Sequence, residues 1–179
     1  MSEPFDDLEA TLEQVWQRLG RGVADPKAAA RHPVLATVGA AGAEARVVVL
    51  RAVDRAAGQL TVYTDAQSSK VTELQAEPRA SLLVWDQKAR FQIRLRVRFE
   101  IGTAPEIWER LSDGARSLYG GAPPPGAEIA WPSDHVPGAE AQRFAVLTGE
   151  ILEIETLHLG RDSHRRALFR EGRSAWLVP

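Results

Sequence analysis

The sequence predicts a mainly β domain with peripheral helices, an α+β fold. Three observations lead there. Residues 90–99 alternate strictly, with Arg90, Gln92, Arg94, Arg96 and Arg98 on one face and Phe91, Ile93, Leu95, Val97 and Phe99 on the other. Several more short apolar segments are separated by glycine-containing turns. Helical spacing is confined to brief stretches around them, so the chain reads as helix, sheet, variable middle and sheet.

Leu8, Leu12, Val15, Trp16 and Leu19 follow helical spacing over residues 6–19. Asp25-Pro26 reads as an N-cap and N1 proline opening a second, short helix. His32, just before Pro33, leaves helical geometry. Strands are predicted over 34–38, 45–53 and 59–64, with turns at 39–42 and 54–58. Ser68 or Ser69 caps a helix that reaches about Ala76 and stops before Pro78. Residues 80–85 and 90–101 form the next hairpin. Thr103 to Glu106 reads as a capping box for a helix with Trp108 and Leu111 on its apolar side. The Pro- and Gly-rich stretch 120–138 reads as irregular loop. Residues 144–154 alternate as a strand, and two short strands, 166–170 and 175–178, flank a turn at 171–173.

Composition narrows the function. The 179 residues are 44% hydrophobic and 26% charged, an ordinary globular balance. A net charge of −2 gives no general attraction to nucleic acid or anionic membranes. The absence of cysteine excludes disulfides, thiolate metal sites and cysteine nucleophiles. The acidic start MSEPFDDLEATLEQ has no signal-peptide apolar region, and no apolar run approaches the roughly 20 residues of a membrane span. A cytoplasmic protein is expected. With no internal repeat and no long linker, 1–179 is expected to be a single domain: N-terminal helices over 1–31, a barrel core over 33–101 and C-terminal strands over 142–179.

The chemistry gathers between Arg46 and Lys70. This stretch reads as strand, turn, strand and helix start, with arginines at both ends of the first strand core and Ser68-Ser69-Lys70 opening the helix. Amides at a helix start, with hydroxyls and cations around them, make a phosphate site. Arg46 can grip a phosphate bidentately. Val47, Val48, Val49 and Leu50 offer backbone groups and an apolar wall, Tyr63 and Thr64 offer hydroxyls, and Gln92 offers an amide. In an ideal strand Arg46 and Arg51 point to opposite faces, so the strand is twisted or bulged there, or the two arginines serve different ends of a ligand.

This series resembles the FMN-binding region of the pyridoxamine 5′-phosphate oxidase family. The family pattern R-x-V-x-L-K is matched by Arg46, Val48, Leu50 and Arg51, its Y-T by Tyr63 and Thr64, its S-x-K by Ser68 and Lys70, and its later strand glutamine by Gln92. The C-terminal H-x-R of the family is matched by His164 and Arg166, and its closing motif is loosely echoed by residues 175–179. The resemblance implies a split β-barrel, a homodimer with FMN at the interface, and a small-molecule substrate. It implies FMN contacts from Arg46, Val47, Val48, Val49, Leu50, Arg51, Tyr63, Thr64, Ser68, Ser69, Lys70, Gln92 and Arg166, with His164 as a substrate contact and no metal.

The departures bear on substrate. Ser69 stands where the family often has arginine, Leu157 where it has tryptophan, and Asp162 where it has a substrate-binding arginine. Arg110, Gly114 and Leu118 fall where a Tyr, Arg and Ser trio would hold the vitamer phosphate. The flavin half of the site looks kept and the phosphate half of the substrate site does not. An FMN-dependent oxidoreductase with another substrate is therefore expected; a genuine pyridoxamine phosphate oxidase and a non-catalytic flavin-binding module are the alternatives. A barrel binding single-stranded nucleic acid ranks last, because Phe91 and Phe99 lie opposite the basic face. Read singly, arginines at strand ends are usually solvated or ion-paired. His32, His135 and His158 lack metal-ligand spacing, and Trp85, Trp108 and Trp131 read as core or interface residues.

Overall fold

The Asp7 carboxylate accepts the Ala10 amide at 2.8 Å and so caps α1 (Leu8–Ala24). The computed structural model describes residues 5–179, so the first four residues of the expected N-terminal helical region lie outside it. The helix starts later than its spacing suggested because Asp7 is extended, and it continues past Leu19 to Ala24. Gly22 permits this: a Cβ there would stand 2.6 Å from the Ala30 carbonyl carbon. The second helix expected from Asp25-Pro26 does not form. Asp25 instead ends α1, its amide bonded to Arg21 O at 2.8 Å, and a single 3-10 turn follows at Ala29–Arg31.

The strands are β1 (Val34–Gly39), β2 (Gly42–Val47), β3 (Leu50–Asp54) and β4 (Gln59–Asp65), followed by α2 (Ser69–Ala76), β5 (Arg79–Asp86) and β6 (Phe91–Gly102). After α3 (Pro105–Arg110) and α4 (Asp113–Arg116) come two-residue strands β7 (Leu118–Tyr119) and β8 (Gly138–Ala139), then β9 (Phe144–Leu159), β10 (His164–Arg170) and β11 (Arg173–Leu177). The irregular middle is largely as expected, pinned by the parallel β7–β8 pair.

Two expectations need correction. Residues 45–53 are not one strand: the ladder breaks at Val48–Val49, where the Val48 amide turns to Pro33 O at 3.0 Å, and the β3–β4 register shifts at Leu50/Ala52. This break and bulge remove the geometric conflict between Arg46 and Arg51. The capping box at Thr103 is absent, because Pro105 takes the first helical turn and Ala104 becomes the cap residue, with no side-chain cap bond.

Among the described residues nine strands form one antiparallel sheet, ordered β11-β10-β9-β6-β5-β1-β2, with β4 also on β9 and β3 on β4. The 16-residue β9 is its spine. One edge of β9 pairs first with β4 (Gln59↔Glu150 to Asp65↔Phe144) and then with β10 (Phe169↔Ile154 to His164↔Leu159). The sheet edges β2 and β3 are joined by only Val48 and Val49, so the sheet curls until its ends meet without closing. This is a split barrel, as expected. Its interior is filled by Leu35, Leu50, Leu60, Leu82, Phe91, Ile93, Leu95 and Leu147, against Val15 and Leu19 of α1. Phe91→Ala should therefore cost about 3–5 kcal/mol of stability, to be read from urea denaturation; a cost under about 1 kcal/mol would mean that the interior repacks freely.

A second, smaller cluster lies outside the barrel, where Trp108, Tyr119, Phe144 and Val146 pack beneath α3 with Tyr63 at its margin. Trp108 is thus a packing residue. Trp85 and Trp131 are not core residues in a single chain, being 44% and 71% exposed.

Candidate functional site

The first group of candidate residues meets under α2. Arg46 shares the register row of the buried Leu35, so its side chain lies on the inner face of edge strand β2. Its guanidinium donates to both Glu73 carboxylate oxygens, at 2.8 and 3.1 Å, and to the Thr37 hydroxyl, which itself donates to Glu73. Burial alone would raise the Glu73 carboxyl, but the Thr37 hydroxyl and Arg46 outweigh it and hold it below its ordinary value.

Lys70, in the first turn of α2, reaches back to Thr64 Oγ1 at 3.1 Å, and that oxygen lies 3.0 Å from Ser68 Oγ. Because Ser68 is engaged there, its side chain makes no cap bond to α2. Ser69 beside it is exposed. Burial first, and then the nearby Arg46, push the Lys70 ammonium below the ordinary lysine value of 10.5, against the opposing pull of Glu73 and Asp65. Two cations thus stand together at a helix start whose capping position is unused, an arrangement suited to an anion.

The second group lies beside the first. Arg51 occupies the bulge in β3, its Cζ 5.4 Å from the Tyr63 ring centroid. Its Nε is buried with no hydrogen-bond partner among the described residues. Burial raises the Tyr119 phenol, and Arg51 counteracts it. Neighbouring Asp65 is buried, accepts two 2.9 Å bonds from Arg143 and takes the Gly120 amide at 2.9 Å. Asp65 therefore ties the end of β4 to the 3-10 turn before β9 and to the loop after β7.

The third group is on the outer face. Gln92 on β6, Leu157 on β9 and Arg166 on β10 are register partners across three strands. Trp85 stands opposite Gln92 on its other side. Arg166 donates to Glu155 at 2.8 and 3.1 Å. Arg90, expected on the same face, is not in the strand: at φ 51° it closes the turn before Phe91. His164 is exposed, two residues from Arg166 on the same strand face.

The structure thus brings Arg46, Thr64, Ser68, Ser69 and Lys70 together, with Arg51 and Tyr63 alongside. It separates the Arg46 group from Gln92, Arg166 and His164, which lie on the outer face of the sheet with β1 and β5 between β2 and β6; Tyr63, with Arg51 against its ring, is on the outer face too. Val48 and Leu50 have buried side chains and offer only backbone, whereas Val47 is 62% exposed. Sequence reasoning missed Thr37, Glu73, Asp65, Arg143 and Arg94. Glu73 is four residues from Ser69, one helical turn, and Arg94 is two from Gln92; those spacings were the available signals.

Lys70 has a measurable consequence if the anion is a phosphate. Bound phosphate favours the ammonium, so affinity is full while Lys70 is protonated and falls as pH rises through its lowered value, before the ordinary 10.5. Calorimetric titration with FMN from neutral to alkaline pH should show that fall, and Lys70→Met should flatten it. Identical pH profiles in both proteins would contradict the placement of Lys70.

Among the described residues no helix is long and apolar enough to cross a membrane. The model of the family described as pyridoxamine 5′-phosphate oxidase matches residues 24–157. No curated protein matches. Among solved structures, a pyridoxamine 5′-phosphate oxidase-related, FMN-binding protein from Nostoc punctiforme aligns over 100% of both chains with 22% identity and a TM-score of 0.76. PhzG from Burkholderia lata, solved in complex with tetrahydrophenazine-1-carboxylic acid, aligns over 100% of this chain and 98% of its own, with 20% identity and a TM-score of 0.71. An F420 reductase aligns over 77% and 93%, with 17% identity and a TM-score of 0.51. The structural likenesses establish the barrel, and the family match spans well over half of the sequence: the chain belongs to the pyridoxamine 5′-phosphate oxidase family.

Proposed function

We propose that this protein is an FMN-dependent oxidoreductase acting on a small molecule, with one FMN per subunit held at the interface of a homodimer. The observation that carries the reading is the pairing of Arg46 with Lys70 at the uncapped start of α2. The phosphate of FMN would take the place of the missing cap, meeting Arg46, Ser69, Lys70 and the first amides of the helix. The residues fit the group: Lys70 is bonded to a hydroxyl rather than a carboxylate, and Arg51 keeps a buried donor without an acceptor. Val47, Val48 and Val49 would provide backbone groups and a wall, Tyr63 and Thr64 hydroxyls, and Gln92 and Arg166 polar contacts for the ring edge. FMN, when bound, supplies the electron-transfer chemistry, and the chain binds it, orients it and shields it from water. A neighbour described as FMN binding supports the choice of cofactor.

Geometry supports the dimer. Arg46 lies on the inner face and Gln92 on the outer face of one chain's sheet, so an FMN that met both would take the Gln92 row from a second copy. The exposed Val47, Leu83 and Trp85 on that outer face are apolar surface for such a partner to cover. Such an interface should bury more than about 1,000 Å², and sedimentation equilibrium should give the mass of a dimer; a monomer in the presence of FMN would contradict it. Residues 1–179 would act as one FMN-binding domain, since its long strands share one sheet.

The substrate is read as something other than a vitamin B6 phosphate. Asp162 and Leu118 are exposed and Gly114 has no side chain, while Arg116 is committed to the Trp108 and Glu109 carbonyls at 3.1 and 2.7 Å. None of these converges on a phosphate dianion. His164 remains the candidate substrate contact. Pyridoxamine 5′-phosphate should turn over slowly or not at all; a rate of about 1 s⁻¹ with FMN-loaded protein would show that reading to be wrong. The cofactor itself is tested by the absorption spectrum of the purified protein and a fluorescence titration with FMN, and a colourless protein that does not quench FMN would overturn it.

A further inference from the structure

Arg166 does not stand alone on the outer face. Glu155 on β9 is buried and divides its carboxylate between two strands: Oε1 takes Arg166 of β10 at 2.8 and 3.1 Å, and Oε2 takes Arg94 of β6. Arg94 lies directly opposite Glu155 and two residues from Gln92 on the same face. Its Nε is buried and has no acceptor among the described residues. One carboxylate against two guanidiniums leaves this row with one net positive charge. The next row repeats the pattern with Arg96, Glu153 and Arg170, but its arginines are 59% and 52% exposed, against 36% and 34% for Arg94 and Arg166. The more shielded triad is the one adjoining Gln92 and Leu157. The two guanidiniums tie β6 and β10 to β9, and in doing so they leave a net positive charge beside Gln92.

We propose that the Arg94–Glu155–Arg166 triad is one electrostatic unit that sets the reduction potential of the flavin placed against the Gln92 row. Glu155 is the positioning residue and Arg94 the second cation. The inference rests on the FMN reading above. Electrons added to a ring beside the triad meet a net positive charge in a site partly shielded from water, which favours the reduced form. Glu155 limits that charge to one and keeps the Arg166 guanidinium along β9 instead of free to swing.

The test compares midpoint potentials of FMN-loaded wild type, Glu155→Gln and Arg94→Met, by anaerobic equilibration with a reference dye. Glu155→Gln leaves two positive charges and should shift the potential upward. Arg94→Met leaves a neutral pair and should shift it downward. Opposite signs are the signature, because a mere loss of packing has no reason to follow the charge. Shifts of the same sign, or none, overturn the proposal while leaving FMN binding intact. Should Glu155→Gln fail to fold, Arg94→Met decides alone, at a position that is one-third exposed: an unchanged or raised potential overturns the proposal. Wild type that binds no FMN overturns the cofactor reading itself, and the triad's role with it.

Discussion

Arg46→Ala should weaken FMN binding by about 2–5 kcal/mol, the range for truncating one partner of a buried, hydrogen-bonded charge pair. Two losses add here. The proposed phosphate contact goes, and Glu73 is left in its pocket with only the Thr37 and Ser69 hydroxyls. The side chains of Arg46 and Glu73 are 20% and 11% exposed, so water compensates little. The variant's stability should therefore fall along with its affinity. Glu73→Gln separates the two effects, since it retains Arg46 but loosens its grip, and should cost less affinity than Arg46→Ala. Fluorescence titration measures the affinities and urea denaturation the stabilities. FMN affinity unchanged in Arg46→Ala would remove Arg46 from the site.

Asp65→Asn should destabilise the fold by about 3–5 kcal/mol, the cost of breaking a buried ion pair by removing one charge. Asp65 and Arg143 have side chains 5% and 11% exposed, joined by two 2.9 Å bonds. The substitution leaves the arginine buried without its counter-charge and weakens the acceptor for the Gly120 amide. Because the Gly120 loop packs beside Tyr119 and Arg51, the loss should spread to the ligand side of β4. Denaturant unfolding measures the global term, and amide exchange at Gly120 the local one. A loss of less than about 1 kcal/mol would mean that the pair is screened as a surface pair is.

Much of the barrel was legible in one dimension. The alternation at 90–99 marks β6 because a strand buried on one face must repeat with period two, and the structure places Phe91, Ile93, Leu95, Val97 and Phe99 inside. The start of α2 was legible to within one residue, at Ser68 or Ser69, because Pro78 and the turn residues bound a short helical segment, and the structure gives Ser68 as the cap position. Boundaries that depend on distant contacts were not legible. Gly22 lets α1 continue because Ala30 packs against it, and the strand over 45–53 breaks because Pro33, next in register, accepts the Val48 amide but has no N–H to return.

For the candidate site, the sequence by itself determined which residue types are present and in what order: arginines, hydroxyls and a lysine at a helix start, then a glutamine on a basic strand face. Covalent spacing and side-chain periodicity are local, and they carry that much. Only the tertiary structure decided which of these residues meet. It placed Glu73 and Thr37 on Arg46, Asp65 on Arg143, and Glu155 between Arg94 and Arg166. It also put Arg46 and Gln92 on opposite faces of one sheet. Partners separated by up to 78 residues in the chain are chosen by strand register and sheet curvature, and these depend on how the whole core packs.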